Sequence, residues 1–256
     1  MNTNNHVEKN MKFLARIFSG LIILSMSMLV FAADYKVEEV TGGGTISGKV
    51  TFVGDDPDPQ VYAIAKDNEV CGTDDRIIDF VRVNDGGLAN VVVYLDKVKS
   101  GKAFNEEESK GNIDQKGCEF HPFLQVMHNK QEFTALNSDP VSHNIHTYEL
   151  IGKSKKTVIN VSQPDQDSVY KKEINLKRGN AMKIECDQHD FMHSFIFVAK
   201  NPYYAVVSDD GTFSINNIPP GKYTLKAWHG TLGTKKAKVE VVGGDALTSD
   251  FEFKGK

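Results

Sequence analysis

The sequence of 256 residues has only three cysteines and, after residue 32, no apolar run long enough to cross a bilayer. It has no Cys-x-x-Cys-His motif, which excludes covalently attached c-type haem. It also has no nucleophile elbow, paired acid motif or open zinc triad, so hydrolytic activity is not expected. The sequence therefore gives no sign of hydrolytic catalysis, and the functions considered below are binding, structural support and electron transfer.

The N-terminal stretch is typical of a secretory signal. Lys12 and Arg16 precede an apolar core that ends at Ala32, with small residues at the expected cleavage point. We expect residues 1–32 to be removed, with Met11 as a possible true start and Ala33 or Asp34 as the first mature residue. The product is expected in the periplasm or at the cell surface. Removal of residues 1–32 leaves 27 basic and 33 acidic residues, a formal charge of −6, which disfavours nucleic-acid binding.

The rest of the sequence predicts an all-β protein. No stretch sustains a helical period, although the segment from Phe104 to Lys110 could form a turn or two. Short β-branched or aromatic runs alternate with turn signals such as "DDGT", "PPGK" and "KRGN". This pattern predicts β-sandwiches, either one large sandwich or two smaller domains.

The segments of one sandwich are far apart in the sequence. "VVSDDGTFSINNIPPGKYTLKAW", residues 206–228, resembles the second half of a transthyretin-like or carboxypeptidase-regulatory-like β-sandwich, and "ISGKVTFVG" and "LANVVVYL" resemble its first half. We therefore predict a host sandwich formed by residues 41–105 and 201–256, with residues 106–200 as an inserted domain. The alternative is two unrelated domains followed by a separate tail, which would leave exposed strand edges.

The predicted insert contains a candidate metal site. "CDQHDFM", Cys186 to Met192, places a thiol, an imidazole and a thioether within seven positions, and His143 lies upstream in "DPVSHNIH". Two imidazoles, a thiolate and a weak axial thioether suit an ion that alternates between Cu(I) and Cu(II). Any one of these residues alone is more often structural, since a lone Cys or Met is usually buried packing. Together they predict a copper site.

The two motifs resemble those of the cupredoxins, and their Cys-x-x-His-x-x-Met spacing is similar to that of the amicyanin branch. The resemblance covers about residues 115–200. It implies a Greek-key β-sandwich holding one mononuclear type 1 copper ion. The implied ligands are His143, Cys186, His189 and Met192.

Further expectations follow from the resemblance. Asn144 is expected to hydrogen-bond to the cysteine loop, Phe191 and Phe123 to form an apolar shell, and His189 to lie near the surface as the exit route for an electron. The apolar ring around His189, Phe191 included, is expected to dock a partner. A dinuclear CuA site is excluded because Cys186 has no neighbouring cysteine.

If Cys186 binds copper, Cys71 and Cys118 are left to form a disulfide between the host and the insert, as an exported chain permits. The alternative is that both are reduced and buried. His121 and His128, with Met127, are candidates for a second metal site that no motif fixes.

Three histidines receive no metal-binding role. His146 lies three residues from His143 and so faces the other side of a strand. His193 is expected to point away from the metal, and His229 is assigned no role.

The sequence therefore predicts an exported electron carrier, not an enzyme, that exchanges electrons with a redox protein such as a c-type cytochrome or a copper- or quinone-linked oxidoreductase. One alternative is an envelope binding or adhesion protein with a structural cupredoxin fold. Another is Cu(I) storage or delivery. The runs Glu106–Glu108 and Lys153–Lys156 are either docking patches or ordinary solvated surface.

Overall fold

The computed structural model describes residues 35–255, which are almost entirely β-strand. The predicted signal segment, residues 1–32, lies outside the described residues. Within the described part, no helix is long and apolar enough to span a membrane. The predicted all-β sandwich class is confirmed.

One pair of sheets combines strands from both ends of the described chain. The first sheet contains, in spatial order, β18 (Tyr204–Val206), β7 (Val91–Asp96), β20 (Gly221–His229) and β21 (Gly233–Val241). The second contains β19 (Thr212–Ile218), β2 (Gly44–Val53), β6 (Gly87–Leu88) and β5 (Val83–Asn84), with β22 (Ala246–Thr248) and β23 (Phe251–Lys254) also paired to β2. Strand β7 begins with a run of apolar residues and is buried along both faces, as expected for a central strand.

The second pair of sheets is formed by the middle of the chain. One sheet contains β10 (Phe120–His121), β9 (Gly111–Gln115), β12 (Gln131–Asn137) and β15 (Val169–Ile174). The other contains β11 (Leu124–His128), β17 (His193–Ala199), β16 (Ala181–Glu185), β13 (His143–Ile151) and β14 (Ser154–Gln163). In this part of the chain, the sequence pattern did not predict the short strands β9, β10 and β11 or the long polar strand β14. The domain boundaries at residues 105 and 200 stay predictions.

We call the two pairs of sheets, in the order given above, the first and the second sandwich. Strand β17 belongs to both, because each of its faces is buried in a different core. Phe195 and Phe197 belong to the core of the first sandwich, and the intervening Ile196 belongs to the core of the second. The period of two along a strand produces this alternation. Gly230 allows the close approach, since a Cβ there would lie 2.7 Å from the Phe195 ring.

The remaining elements are short. Strand β1 (Lys36–Val37) pairs with β8 (Ser100–Gly101), and a 3₁₀ turn covers Glu106–Glu108, in agreement with the prediction of a turn near Phe104 to Lys110.

Residues 60–78 form a separate unit that we call the cap segment: strand β3 (Gln60–Tyr62), helix α1 (Asn68–Cys71) and strand β4 (Arg76–Ile78). Cys71 and Cys118 form a disulfide, as predicted, and it ties the cap segment to the loop between β9 and β10. The sequence analysis included residues 60–78 in the host sandwich and predicted no helix or strand there, whereas β3 and β4 form their own two-stranded sheet.

Candidate metal centre

His143 begins β13, and its ring is fixed by the loop that precedes the strand. Its Nε2 donates to Asp139 Oδ2 over 2.8 Å. The same carboxylate accepts from the backbone N–H groups of Gly117, at 2.7 Å, and Cys118, at 2.8 Å. His143 and Asp139 are both buried. A buried carboxylate with three donors has little freedom to move, so the ring is held in one orientation.

The loop between β16 and β17 supplies the other candidate ligands. Cys186 follows directly after β16, Met192 directly precedes β17, and both are buried in the core of the second sandwich. The Met192 N–H donates to the His189 carbonyl over 3.0 Å, which tightens the loop. The Asn144 N–H donates to Cys186 Sγ over 3.3 Å and links the two ligand segments.

Three of the four candidate ligands, His143, Cys186 and His189, lie close together. His143 Nδ1 lies 3.1 Å from His189 Nδ1, and Cys186 Sγ lies 3.8 Å from the same nitrogen. The three residues form a group that could hold a metal ion. The sulfur position of Met192 relative to this group stays a prediction, but its burial in the same core is consistent with it.

These separations fit a shared ion. First-row ions bind imidazole nitrogen at about 2.0–2.1 Å and thiolate at about 2.3 Å. Both observed separations, 3.1 Å and 3.8 Å, are shorter than the sum of two such bond lengths, so one ion could contact both atoms of each pair. A donor set of two imidazoles and one thiolate in that arrangement suits copper or zinc.

The hydrogen bonds also fix the tautomers of both rings. His189 Nε2 donates to Asp67 Oδ2 over 2.9 Å, as His143 Nε2 does to Asp139. Because carboxylates only accept, each Nε2 carries the proton and each Nδ1 presents a lone pair to the other. Two such lone pairs 3.1 Å apart repel each other unless a proton or a metal cation lies between them. Burial lowers the pKa of His189, which favours the neutral ring, the form that can bind a metal ion, over the imidazolium.

The pKa of the Cys186 thiol is subject to two opposing effects. Burial raises the pKa of Cys186, whereas backbone N–H groups of Asn144, Gln188 and His189 act in the opposite direction. Those donors stabilise a thiolate once a cation replaces the thiol proton. A metal-free thiol and a metal-bound thiolate are therefore both accommodated.

The cap segment covers His189. The His189 side chain has no exposed surface. Asp67, which accepts the hydrogen bond from His189 Nε2, lies in the cap segment, and 36% of the Asp67 side chain is exposed. The disulfide sulfur of Cys71 lies 3.9 Å from the same Nε2. The prediction that His189 lies near the surface is wrong, and so is the prediction that Phe191 docks a partner, since Phe191 is also buried. The physical reason is that the cap segment occupies the side from which solvent would reach them.

One prediction about neighbouring residues is confirmed and another needs correction. The predicted hydrogen bond from Asn144 to the cysteine loop is made by its backbone N–H, which donates to Cys186 Sγ. The Asn144 side chain donates to Asn160 Oδ1 and the Val161 carbonyl on β14. Phe191 does pack in the core around Cys186. Phe123 instead packs against the core of the first sandwich, with its ring 5.8 Å from that of Phe195.

The other histidines lie apart from this group. His121 Nε2 lies 3.8 Å from Glu119 Oε2. His128 lies against Phe104, with its Nε2 3.2 Å from the Tyr204 hydroxyl. Among the groups of possible metal ligands within residues 35–255, neither His121 nor His128 occurs.

The histidines to which the sequence assigned no metal role have partners elsewhere. His146 bonds to Asp187 and Thr157. His193 packs against the rings of Tyr62 and Phe80, and burial lowers its pKa to about 4. His229 Nδ1 accepts from two backbone N–H groups of the following turn.

The sequence analysis did not identify Asp67 and Asp139 as partners of the ligand histidines. Asp139 lies four residues before His143 in "SDPVSH", a spacing that could have suggested it. Asp67 carries no such signal, because 122 residues separate it from His189. Its role follows only from the folding of the cap segment.

Comparisons with known proteins agree with the fold class and go little further. A family model described as polysaccharide lyase family 4, domain II, matches residues 185–249. No curated protein matches the chain. The transthyretin-like resemblance of the host strands stays a prediction.

Several solved structures are similar to part of the chain. Amicyanin from Paracoccus versutus is 13% identical, over 35% of this chain and 81% of that one, with a TM-score of 0.29. A purple cupredoxin from Nitrosopumilus maritimus is 14% identical, over 35% of this chain and 99% of that one, with a TM-score of 0.30. A copper-containing nitrite reductase from Thermus scotoductus is 14% identical, over 59% of this chain and 28% of that one, with a TM-score of 0.29. Similarity at this level carries no argument about function, which therefore rests on the geometry of the candidate ligands.

Proposed function

We propose that this chain is an exported mononuclear copper protein that carries single electrons between redox partners, with His143, Cys186, His189 and Met192 as the ligands. One observation carries the proposal. Two buried imidazoles direct their Nδ1 atoms at each other across 3.1 Å, with a buried thiol 3.8 Å from one of them. Copper bound there would supply a Cu(I)/Cu(II) couple without a substrate-binding step.

The residues of the chain supply rigidity. Asp139 and Asp67 each hold one imidazole by its Nε2, and the Asn144 N–H holds the sulfur. The ligand segments are anchored in adjacent strands, β13 and β16, of one sheet. A donor set that is held in place before the ion binds rearranges little when one electron is gained or lost, which favours fast electron transfer.

Burial favours the carrier over copper delivery. A delivery protein must release its ion to an acceptor that reaches the ligands, whereas here the cap segment and a disulfide cover His189. Electron transfer needs no such access, because only the electron leaves. Export to the periplasm or cell surface, a c-type cytochrome as partner, and the absence of a catalytic reaction are part of the same proposal.

The decisive test is the visible absorption and EPR spectrum of the exported protein after loading with Cu(II). We expect an intense band toward the red end of the spectrum that bleaches reversibly on reduction. The band should disappear in Cys186→Ser. It should persist in the Cys71→Ser/Cys118→Ser double variant, the matched control that removes the other two sulfurs. Colourless copper binding would instead support storage, and no copper binding would support an adhesion protein with a structural cupredoxin fold.

A further inference from the structure

The cap segment changes where a redox partner can approach. In the described structure, Asp67 and Cys71 lie against the Nε2 side of His189, and no part of the His189 side chain is exposed. A protein approaching this side of the centre therefore touches the cap segment before it reaches any ligand. The question is whether the outer face of the cap has the properties of a contact surface.

The two strands of the cap have distinct faces. Tyr62 and Arg76 are directly opposite across the hairpin. The Tyr62 ring lies 5.5 Å from the ring of His193, which follows Met192, and the Arg76 guanidinium lies 5.6 Å from the ring of Phe191. Because side chains alternate along a strand, the neighbours of this pair face away from the ligand loop.

Those neighbours form an exposed apolar pair. Val61 and Ile77 are directly opposite in the hairpin, and 62% and 67% of their surfaces are exposed. Among the large apolar residues of the described range, 35–255, these two have the highest exposed fractions. Two β-branched side chains in register form one contiguous patch, unlike the scattered single residues common on protein surfaces.

The chain segment that carries the patch is strongly acidic. Residues 55–79 contain eight acidic and two basic side chains. The acidic residues, all exposed, are Asp55, Asp56, Asp58, Asp67, Glu69, Asp74, Asp75 and Asp79. Arg76, one of the two basic residues, is already paired with Glu119. The formal charge of this segment, −6, equals that expected for the whole chain after loss of residues 1–32, so the rest of the exported chain is formally neutral.

We propose that the outer face of the cap segment, centred on Val61 and Ile77, is the docking surface for a one-electron redox protein whose own apolar contact patch is ringed by Lys and Arg. This inference rests on the proposed function. The partner is defined by charge complementarity, since the acidic segment attracts a basic ring and repels an acidic one. In the exchange, the partner's cofactor loses one electron as Cu(II) becomes Cu(I), or the reverse, and no covalent bond forms or breaks.

The test is stopped-flow reduction of the Cu(II) protein by a lysine-rich c-type cytochrome, with an acidic c-type cytochrome as the comparison. We expect the basic probe to react faster and its second-order rate constant to fall as ionic strength rises. Val61→Ser/Ile77→Ser should lower that constant by about tenfold. Asp74→Asn/Asp75→Asn should lower it several-fold at low salt and flatten its dependence on salt.

The controls separate docking from the metal centre. Val206→Ser/Val242→Ser and Glu240→Gln/Glu252→Gln change other exposed residues outside the cap segment and should react like the wild type. All variants should keep the copper absorption band, because none of these side chains contacts a candidate ligand. An intact band with wild-type rates in both cap variants, or faster reaction with the acidic probe, would overturn the docking surface alone. A colourless wild type would remove the proposed function and the docking surface together.

Discussion

Removal of the disulfide is predicted to destabilise the fold and to open the metal centre. Cys71 and Cys118 are 47 residues apart in the sequence. In the chain-entropy description, closing a loop of that length stabilises the folded state by about 4 kcal/mol at 25 °C. The Cys71→Ser/Cys118→Ser variant should therefore lose most of this amount in the unfolding free energy of the copper-free protein, measured by urea denaturation. Cys186→Ser, which keeps the disulfide, is the matched control.

The same variant should release copper faster. Without the disulfide, the cap segment is held over His189 by the Asp67 hydrogen bond and by the packing of Tyr62 and Arg76. Partial opening would expose His189, and we expect transfer of copper to an external chelator to accelerate by roughly tenfold. A stability loss below about 1 kcal/mol together with an unchanged release rate would refute the reasoning that the disulfide holds the cap in place.

Three further predictions follow from the site and the cores. Asp139→Ala and Asp67→Ala should each weaken copper binding by about 10- to 100-fold in competition titrations, with the larger loss at Asp139, which also anchors two backbone N–H groups. Burial lowers the pKa of His229 from 6.5 to about 4, so the folded state binds fewer protons than the unfolded state in this interval and stability falls as pH decreases. Between pH 8 and pH 5 the loss from this group is about 2 kcal/mol, and urea denaturation of His229→Gln should show a pH dependence smaller by that amount. Phe197→Ala should lower the unfolding free energy by about 3–5 kcal/mol, because the ring is 1% exposed and packs between Tyr94 and Trp228; thermal or urea denaturation measures this directly.

The strands and the ligand loop could be predicted because their signals are local. Runs such as "VVVYL" and "HSFIFVA" are rich in β-branched and aromatic residues, which are enriched in strands, and they form most of β7 and all of β17. The spacing from Cys186 to Met192 lies within one loop, so a single stretch of sequence brings three candidate ligands together. The long strand β14 escaped prediction because its side chains are mostly polar and exposed, and it is stabilised by pairing with β13.

The cap segment could not be predicted because nothing local defines it. Residues 60–78 mix nine apolar residues with nine polar or charged ones and one glycine, without a sustained period of a helix or strand. Their structure depends on contacts with residues about 120 positions away, as in the bonds of Asp67 and Cys71 to His189. The prediction that His189 lies near the surface was wrong for this reason. It rested on the motifs around His143 and Cys186–Met192, which contain no information about residues 60–78.

The double burial of β17 has a consequence for how the molecule can be divided. Ile196 and Val198 complete one core while Phe195, Phe197 and Ala199 complete the other. A fragment restricted to residues 106–200 would present those aromatic rings to water, and a fragment without them would lack part of the core of the first sandwich. Melting is therefore expected to be a single cooperative event for residues 35–255, and the ligand loop that leads into β17 is as stable as the whole molecule.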